Sequence, residues 1–300
     1  MGQVIAIAGD LHCGSTVGLC PPEGIALDDG GLYEPSEAQR WLWECWEAAW
    51  AEVKVIARQQ RSKVTLCLNG DLIDGDHHRT AQIASPLTGL HVHCALESLR
   101  VPLALKPSEI HIMRGTPAHV GRSADAEEGI AKAIKGQLWN VVPDPDTGNL
   151  SSYRRIIDVE GGVRLDIAHH GRMGRRAHTV GSYSRLYSFD IWAERMLEAY
   201  RHMREGDDPL AAFNKHRPPD VAVRSHNHRY ADSGRDHRGV TRVISTPAWQ
   251  FATEWIHKIA AESLADLGVV VLVCQGTEVE VRPILFSPER STVLNIGKDQ

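Results

Sequence analysis

Val4-Ile5-Ala6-Ile7-Ala8-Gly9-Asp10-Leu11-His12 decides how the rest of the chain is read. Five apolar residues in a row predict a short buried strand. The run stops at a glycine, followed by a carboxylate and, two residues on, an imidazole. The same pattern recurs. An apolar run at 64–68 leads into Asn69-Gly70-Asp71-Leu72-Ile73-Asp74. A strand at 109–113 runs on to Gly115, one at 163–168 ends in His169-His170-Gly171, and one at 221–224 ends in Ser225-His226-Asn227-His228. Ligand sites of α/β folds gather beyond the carboxyl ends of strands, so these polar clusters are expected to converge if the strands share a sheet system.

Helices are expected between the strands. Ser36 with Gln39 forms a capping box that opens a helix reaching about Arg61. It carries Trp43, Trp46 and Trp50 at helical spacing beside Trp41, which reads as core, with a base-stacking platform as the minority reading. Further helices are expected at 87–100, 124–136 and 189–203. Strands at 153–159 and 163–168 are expected to pair around Gly161-Gly162, and 240–245 and two strands around Gln275-Gly276 close the chain. Residues 13–35, rich in Gly, Pro and Asp, read as a long loop. The predicted organisation is one α/β domain over 1–290, with a loop-helix insertion at about 13–60 and a tail at 291–300.

Composition narrows the function. The chain has 300 residues, 42% of them apolar, and a formal net charge of −5, so no global excess of positive charge points to nucleic acid or to a membrane surface. No apolar stretch is long enough for a membrane span and the N-terminus lacks a signal-peptide pattern. Six cysteines with no C-x-x-C pair suggest a reducing, cytoplasmic setting. Sixteen histidines stand out, because histidine is the commonest metal ligand.

The chemistry sits in four motifs. Asp10 and His12, two apart at a strand end, would point the same way in extended backbone and approach one cation together. His226 and His228 repeat that spacing. Asp71 follows a glycine that lets backbone and carboxylate close on an ion, and its two oxygens suit a bridge between two cations. Such mixed His/Asp sets favour Zn, Mn or Fe over Ca or Mg. His91 and His93 have the same spacing but fall within a predicted helix, where they splay apart; they read as ordinary helix residues.

Gly9-Asp10-Leu11-His12, Gly70-Asp71-Leu72-Ile73-Asp74, His169-His170-Gly171 and Ser225-His226-Asn227-His228, in that order, resemble the motifs of the calcineurin-like metallophosphoesterases over about residues 4–250. The resemblance implies an α/β fold in which a two-sheet β-sandwich is flanked by helices (α/β/β/α), with two divalent metal ions at the strand ends. Manganese is the first expectation, with zinc or iron as alternatives. By position, Asp10, His12 and His228 would hold one metal, Asp71 would bridge, and His169 or His170 would hold the second with His226. His169 is preferred because it comes first off the strand. Asp74 is expected to support the ligands from behind.

The third motif departs from the family. Where it has Gly-Asn-His-Asp/Glu, this chain has Gly115-Thr116-Pro117-Ala118-His119. His119 is the candidate either to replace the Asn ligand or to protonate the leaving group, with a pKa expected to suit that role near neutrality; Thr116 offers only a weak oxygen. The activity implied is phosphoester hydrolysis by a hydroxide bridging the metals, on a phosphodiester and plausibly on DNA or RNA, as in the nuclease branch of the family or in bacteriophage phosphoesterases. Arg172 and His78 are the substrate-binding candidates, Arg172 opening a local run with Arg175 and Arg176 that suits phosphate. The alternatives are a small-molecule phosphodiesterase or phosphomonoesterase, and a metal-binding scaffold without activity.

Overall fold

A computed structural model describes residues 2–77, 80–171, 177–234, 241–259 and 264–288, with the side chains of 177–184 and 259 left aside. In chain order the elements are β1 (Gln3–Ala8), β2 (Ile25–Ala26), β3 (Leu32–Tyr33), α1 (Glu37–Gln60), β4 (Val64–Asn69), α2 (Thr88–Leu103), β5 (Glu109–Met113), α3 (Pro117–Val120), α4 (Asp125–Gly136), β6 (Ser151–Ser152), β7 (Arg154–Asp158), β8 (Arg164–Ala168), α5 (Ala177–Arg204), α6 (Pro209–His216), β9 (Val221–Arg224), β10 (Ala231–Asp232), β11 (Arg242–Ser245), α7 (Glu254–Ile259), β12 (Leu267–Gln275) and β13 (Glu278–Phe286). The expected tail at 291–300 lies outside the described residues.

The chain is mixed α/β. One sheet has the order β13-β12-β1-β4-β5-β6 and a second β10-β11-β9-β8-β7, with β2 and β3 as a separate hairpin. At the centre of each sheet the strands are parallel: β1 beside β4 and β4 beside β5 in the first, β8 beside β9 and β9 beside β11 in the second. Their carboxyl ends therefore fall on one edge of each sheet.

Strands buried on both faces lose the apolar/polar alternation, and β1 shows why. Val4, Ala6 and Ala8 enter a core shared with α1, α2 and α4. Ile5 and Ile7 enter a second cluster with Cys67, Met113, Val270 and Leu272 of the first sheet and Leu165, Ile167, Val221, Val223 and Ile244 of the second.

Helix α1 starts at the expected capping box, with both the Ser36 and Gln39 side chains engaged. Gln39 is buried and also donates to the carbonyls of Ser15 and Gly18 at 3.0 Å, tying the 13–35 loop to the helix. Trp46 and Trp50 are in the core and meet edge to face, as Trp46 does with Trp249. His91, in α2, accepts from the Gly75 amide through Nδ1 at 3.0 Å and donates from Nε2 to the Ser85 carbonyl at 2.7 Å. It pins the loop that follows Asp74 and is a structural histidine.

Several short elements escaped the sequence reading: the β2–β3 hairpin, β6, β10, α6 and α7. Helix α5 also starts earlier than expected, at Ala177.

Candidate metal centre

The loops beyond β1, β4, β5, β8 and β9 meet at one place. Backbone hydrogen bonds join them: Asp10 N–H to Gly70 O at 2.9 Å, His12 N–H to Asp71 O at 3.0 Å, and Ser225 N–H to His169 O at 2.9 Å. Asn69, at the end of β4, donates from Nδ2 to Ala168 O at 3.2 Å and to Ser225 Oγ at 2.6 Å, linking three strand ends across the two sheets. Two glycines permit the approach. A Cβ on Gly115 would lie 2.2 Å from Asp71 Oδ1, and one on Gly70, which has φ +80°, would lie 2.6 Å from the His169 ring.

All seven metal-ligand candidates are brought together. Asp10, His12 and His228 form one set, His169, His170 and His226 another, and Asp10, Asp71 and His169 connect them, the ligand atoms within each set lying within 4.8 Å of one another. The backbone that presents them differs from the extended geometry expected. Asp10, His12, Asp71, His226 and His228 all have positive φ, between 44° and 72°. Asp10 and His12 converge because each turns through the left-handed region, with Leu11 buried between them. Non-glycine residues in that region are uncommon, Asp and His less so than most, and such conformations cluster at functional sites.

In the first set, His12 Nδ1 lies 2.9 Å from Asp74 Oδ1. Its Nε2 is then aimed at His228 Nε2, 3.1 Å away, and at Asp10 Oδ1, 3.9 Å away. Two imidazole nitrogens in near contact are natural neighbours on one cation. Asp10 Oδ1 is buried, while its Oδ2 accepts from the His226 amide at 3.0 Å. Oδ1 faces His228 Nε2 at 3.3 Å and the Nε2 atoms of His12 and His169 at 3.9 Å, and a buried carboxylate ringed by imidazole nitrogens is a donor set that fits a bound cation.

In the second set, His169 is fully buried. Its Nδ1 donates to the Asn69 carbonyl at 2.7 Å and its Nε2 lies 3.0 Å from Asp71 Oδ2. A ring held by a backbone carbonyl through one nitrogen presents the other as a ligand. His170 is exposed, and its Nε2 lies 3.2 Å from Thr116 Oγ1. Both histidines are therefore at the cluster, and the hydrogen-bonding favours His169.

Thr116 is the residue the sequence reading undervalued. Its amide donates to Asp71 Oδ1 at 2.6 Å and its hydroxyl to Asp71 Oδ2 at 3.0 Å. The same hydroxyl stands 3.4, 3.2 and 3.1 Å from nitrogens of His169, His170 and His226. It is an oxygen at the centre of the second set, the place where the family pattern has an asparagine.

His119 lies behind the first set, grouped with His12 and Asp74. Its Nδ1 donates to the Asp74 carbonyl at 2.7 Å, and its ring packs edge to face on His12 and His77. Burial, reinforced by His12, pushes it down to about 4. The near-neutral value expected of a leaving-group acid is not what this environment produces, because desolvation disfavours the charged imidazole.

The electrostatics match a cation site. Burial alone would lower His169, but Asp71 and Asp10 outweigh it and lift the imidazole to about 10. Burial would likewise raise Asp71 and Asp10, yet the surrounding histidines hold both below the usual carboxylate range. A proton thus occupies the charge balance that a cation would take over, and binding one would release it.

Two supports carried no sequence signal. Gln250 donates from Nε2 to Asp74 Oδ1 at 3.2 Å. Glu127, fully buried in α4, accepts the Gly115 amide at 2.8 Å and so positions the Thr116 turn; burial and the Asp71 charge push it up to about 8. The substrate-binding candidates Arg172 and His78, with Arg175 and Arg176, lie outside the described residues.

No protein-family model matches the chain, and no curated protein matches it. The solved structure of a conserved uncharacterized protein from Streptococcus pneumoniae, described as a predicted phosphoesterase, aligns over 95% of this chain and 90% of that chain, at 9% identity and a TM-score of 0.34. A likeness that distant leaves the function to rest on the geometry of the centre.

Proposed function

We propose that the chain is a metal-dependent phosphoester hydrolase of the calcineurin-like metallophosphoesterase type, built as a two-sheet sandwich over about residues 1–290 and working in a reducing, cytoplasmic setting. The observation that carries the proposal is the pair of ligand sets joined through Asp10, Asp71 and His169, assembled from four strand-end loops in the motif order read from the sequence.

Asp10, His12 and His228 would hold one divalent ion and His169, His226 and the Thr116 hydroxyl the other, with Asp71 between them and His170 at the rim. When bound, two such ions polarise a phosphoryl group and acidify a water. The protein's own groups do the rest. Asp74 fixes the His12 tautomer and Asn69 fixes that of His169. Thr116 and Glu127 hold Asp71 and its loop in place. His170, His226 and His228 are the members with solvent exposure, so a phosphoester reaches the centre from their side. His119, neutral at pH 7, acts as a buttress for His12 and Asp74 and is not assigned the proton-donor role. Phosphodiesters, nucleic acid among them, are the proposed substrate class, and manganese the first metal to test.

The test compares hydrolysis of an aryl phosphodiester, an aryl phosphomonoester and single-stranded DNA with added manganese, for wild type and Asp71→Asn, alongside metal content by elemental analysis. Two metals per chain and diester cleavage that Asp71→Asn abolishes, with unchanged circular dichroism, are the expected results. Full activity in Asp71→Asn would refute the assignment. No turnover with any metal would move the reading to the metal-binding scaffold.

A further inference from the structure

A second group of metal-ligating side chains lies away from this centre, where α5 packs against α6. Glu198 and His202 stand one turn apart on the same face of α5, and His216 is the last residue of α6. One ligand atom from each lies within 4.8 Å of the others. His216 is only 8% exposed, and its Nε2 is buried with no hydrogen-bond partner. Its Nδ1 is 3.9 Å from Glu198 Oε1. The rings of His202 and His216 stack, with centroids 4.5 Å apart and planes 13° from parallel.

Outside the trio, His202 Nδ1 lies 2.9 Å from Asp207 Oδ2. A carboxylate on one imidazole nitrogen fixes the tautomer and leaves the other free to ligate, the usual arrangement behind a metal-bound histidine. Arg195 and Arg201 approach Glu198 at 3.8 and 3.5 Å, long contacts that a cation would compete with.

We propose that Glu198, His202 and His216 form a third metal site, selective for a borderline transition ion such as zinc, which clips α6 to α5. Two imidazoles and one carboxylate are a donor set of zinc chemistry, with water completing a four-coordinate ion. Closing the site requires the stacked rings to turn about χ2 so that both lone pairs meet one ion. Its three protein donors come from both helices, so a bound ion would hold α6 against α5, and it shares no residue with the centre described above.

The probe is zinc alone, on the full chain. Wild type, His202→Ala and Glu198→Gln are equilibrated with zinc, freed of unbound metal by gel filtration and analysed for zinc per chain. Phosphodiester hydrolysis with manganese is assayed on the same preparations. Wild type should retain one zinc more than His202→Ala, and zinc should raise the melting temperature of wild type by more than that of the variant, at equal hydrolysis. Asp207→Asn should keep the site with affinity about 10- to 100-fold weaker. Equal zinc content in wild type and both variants would overturn the proposal. Failure of the proposed hydrolase centre would lower all preparations alike and leave the difference of one intact. Glu198→Gln, which preserves shape, carries the test should His202→Ala fail to fold.

Discussion

Asp74→Asn is the sharpest probe of the centre, because it alters charge at one atom and leaves shape alone. Asp74 is 2% exposed. Its Oδ1 accepts from His12 Nδ1 at 2.9 Å and from Gln250 Nε2 at 3.2 Å. Burial alone would lower His12, yet the hydrogen bond and charge of Asp74 raise it. The asparagine oxygen still accepts from both donors, so tautomer and packing survive and the charge is lost. A hydrogen bond to a charged group contributes about 1.5–3 kcal/mol and a neutral one about 0.5–1.5. The difference, roughly 1–1.5 kcal/mol, corresponds to about tenfold in affinity, at the lower end of the effect known for partners that orient a metal ligand. The assay is competition of manganese against a fluorescent chelator, followed by hydrolysis as a function of manganese concentration. The apparent metal constant should weaken about tenfold while the rate at saturating metal stays within about twofold. Unchanged metal affinity with a lower saturated rate would refute the reasoning, since Asp74 would then act on the substrate and not through His12.

Other outcomes follow from single side chains. Thr116→Val keeps the amide bond to Asp71 Oδ1 and removes the hydroxyl at the centre of the second set. A charge-assisted bond of about 1.5–3 kcal/mol makes the second cation about 10- to 100-fold weaker by titration, and two ions bound at wild-type affinity would exclude a role for the hydroxyl. Burial, with Arg155 adding to it, pushes His111 down to about 4. A histidine whose folded pKa lies below its unfolded value of about 6.5 contributes stability above that pH and loses it as pH falls towards 4. His111→Gln should therefore flatten the fall in melting temperature across that window, and a slope equal to wild type would count against it. Trp46→Ala removes a fully buried ring whose Nε1 donates to Ser98 O at 3.0 Å. It should cost about 3–5 kcal/mol in denaturant unfolding with no change in nucleic-acid binding; weaker binding at unchanged stability would revive the stacking platform.

Where sequence succeeded, it did so because short-range chemistry carried the signal. The apolar runs at 4–8 and 64–68 are strands with a core on each face, and the capping box at Ser36 and Gln39 is spelled out by two residues. The ligand types at those strand ends announce a metal centre wherever they meet. The supports were illegible for the opposite reason. Gln250 and Glu127 reach Asp74 and Gly115 from segments with no pattern linking them to β4 or β5. Thr116 looked weak in isolation because its value comes from the imidazoles that surround it, which two other loops deliver. His119 stood as the acid candidate although the third motif departs from the family, on the expectation of a near-neutral pKa; its burial against His12 is a tertiary contact that local sequence does not encode.

The backbone of the ligand loops shows what holds the centre together. Five candidate ligands occupy left-handed conformations, each costing about 1–2 kcal/mol for an ordinary L-residue and less for Asp or His. Hydrogen bonds of the frame support them: the amides of Asp10 and His12 donate to the β4 loop, Ser225 N–H donates to His169 O, and Asn69 ties β4 to Ala168 and Ser225. The frame is thus fixed by strand-end hydrogen bonds and by cores on both faces of β1 and β4, and the ligand side chains are mounted on it. It follows that loss of one ligand oxygen, as in Asp71→Asn, should cost metal and turnover while the fold persists. That separation is what makes the activity of such a variant a test of the chemistry and not of folding.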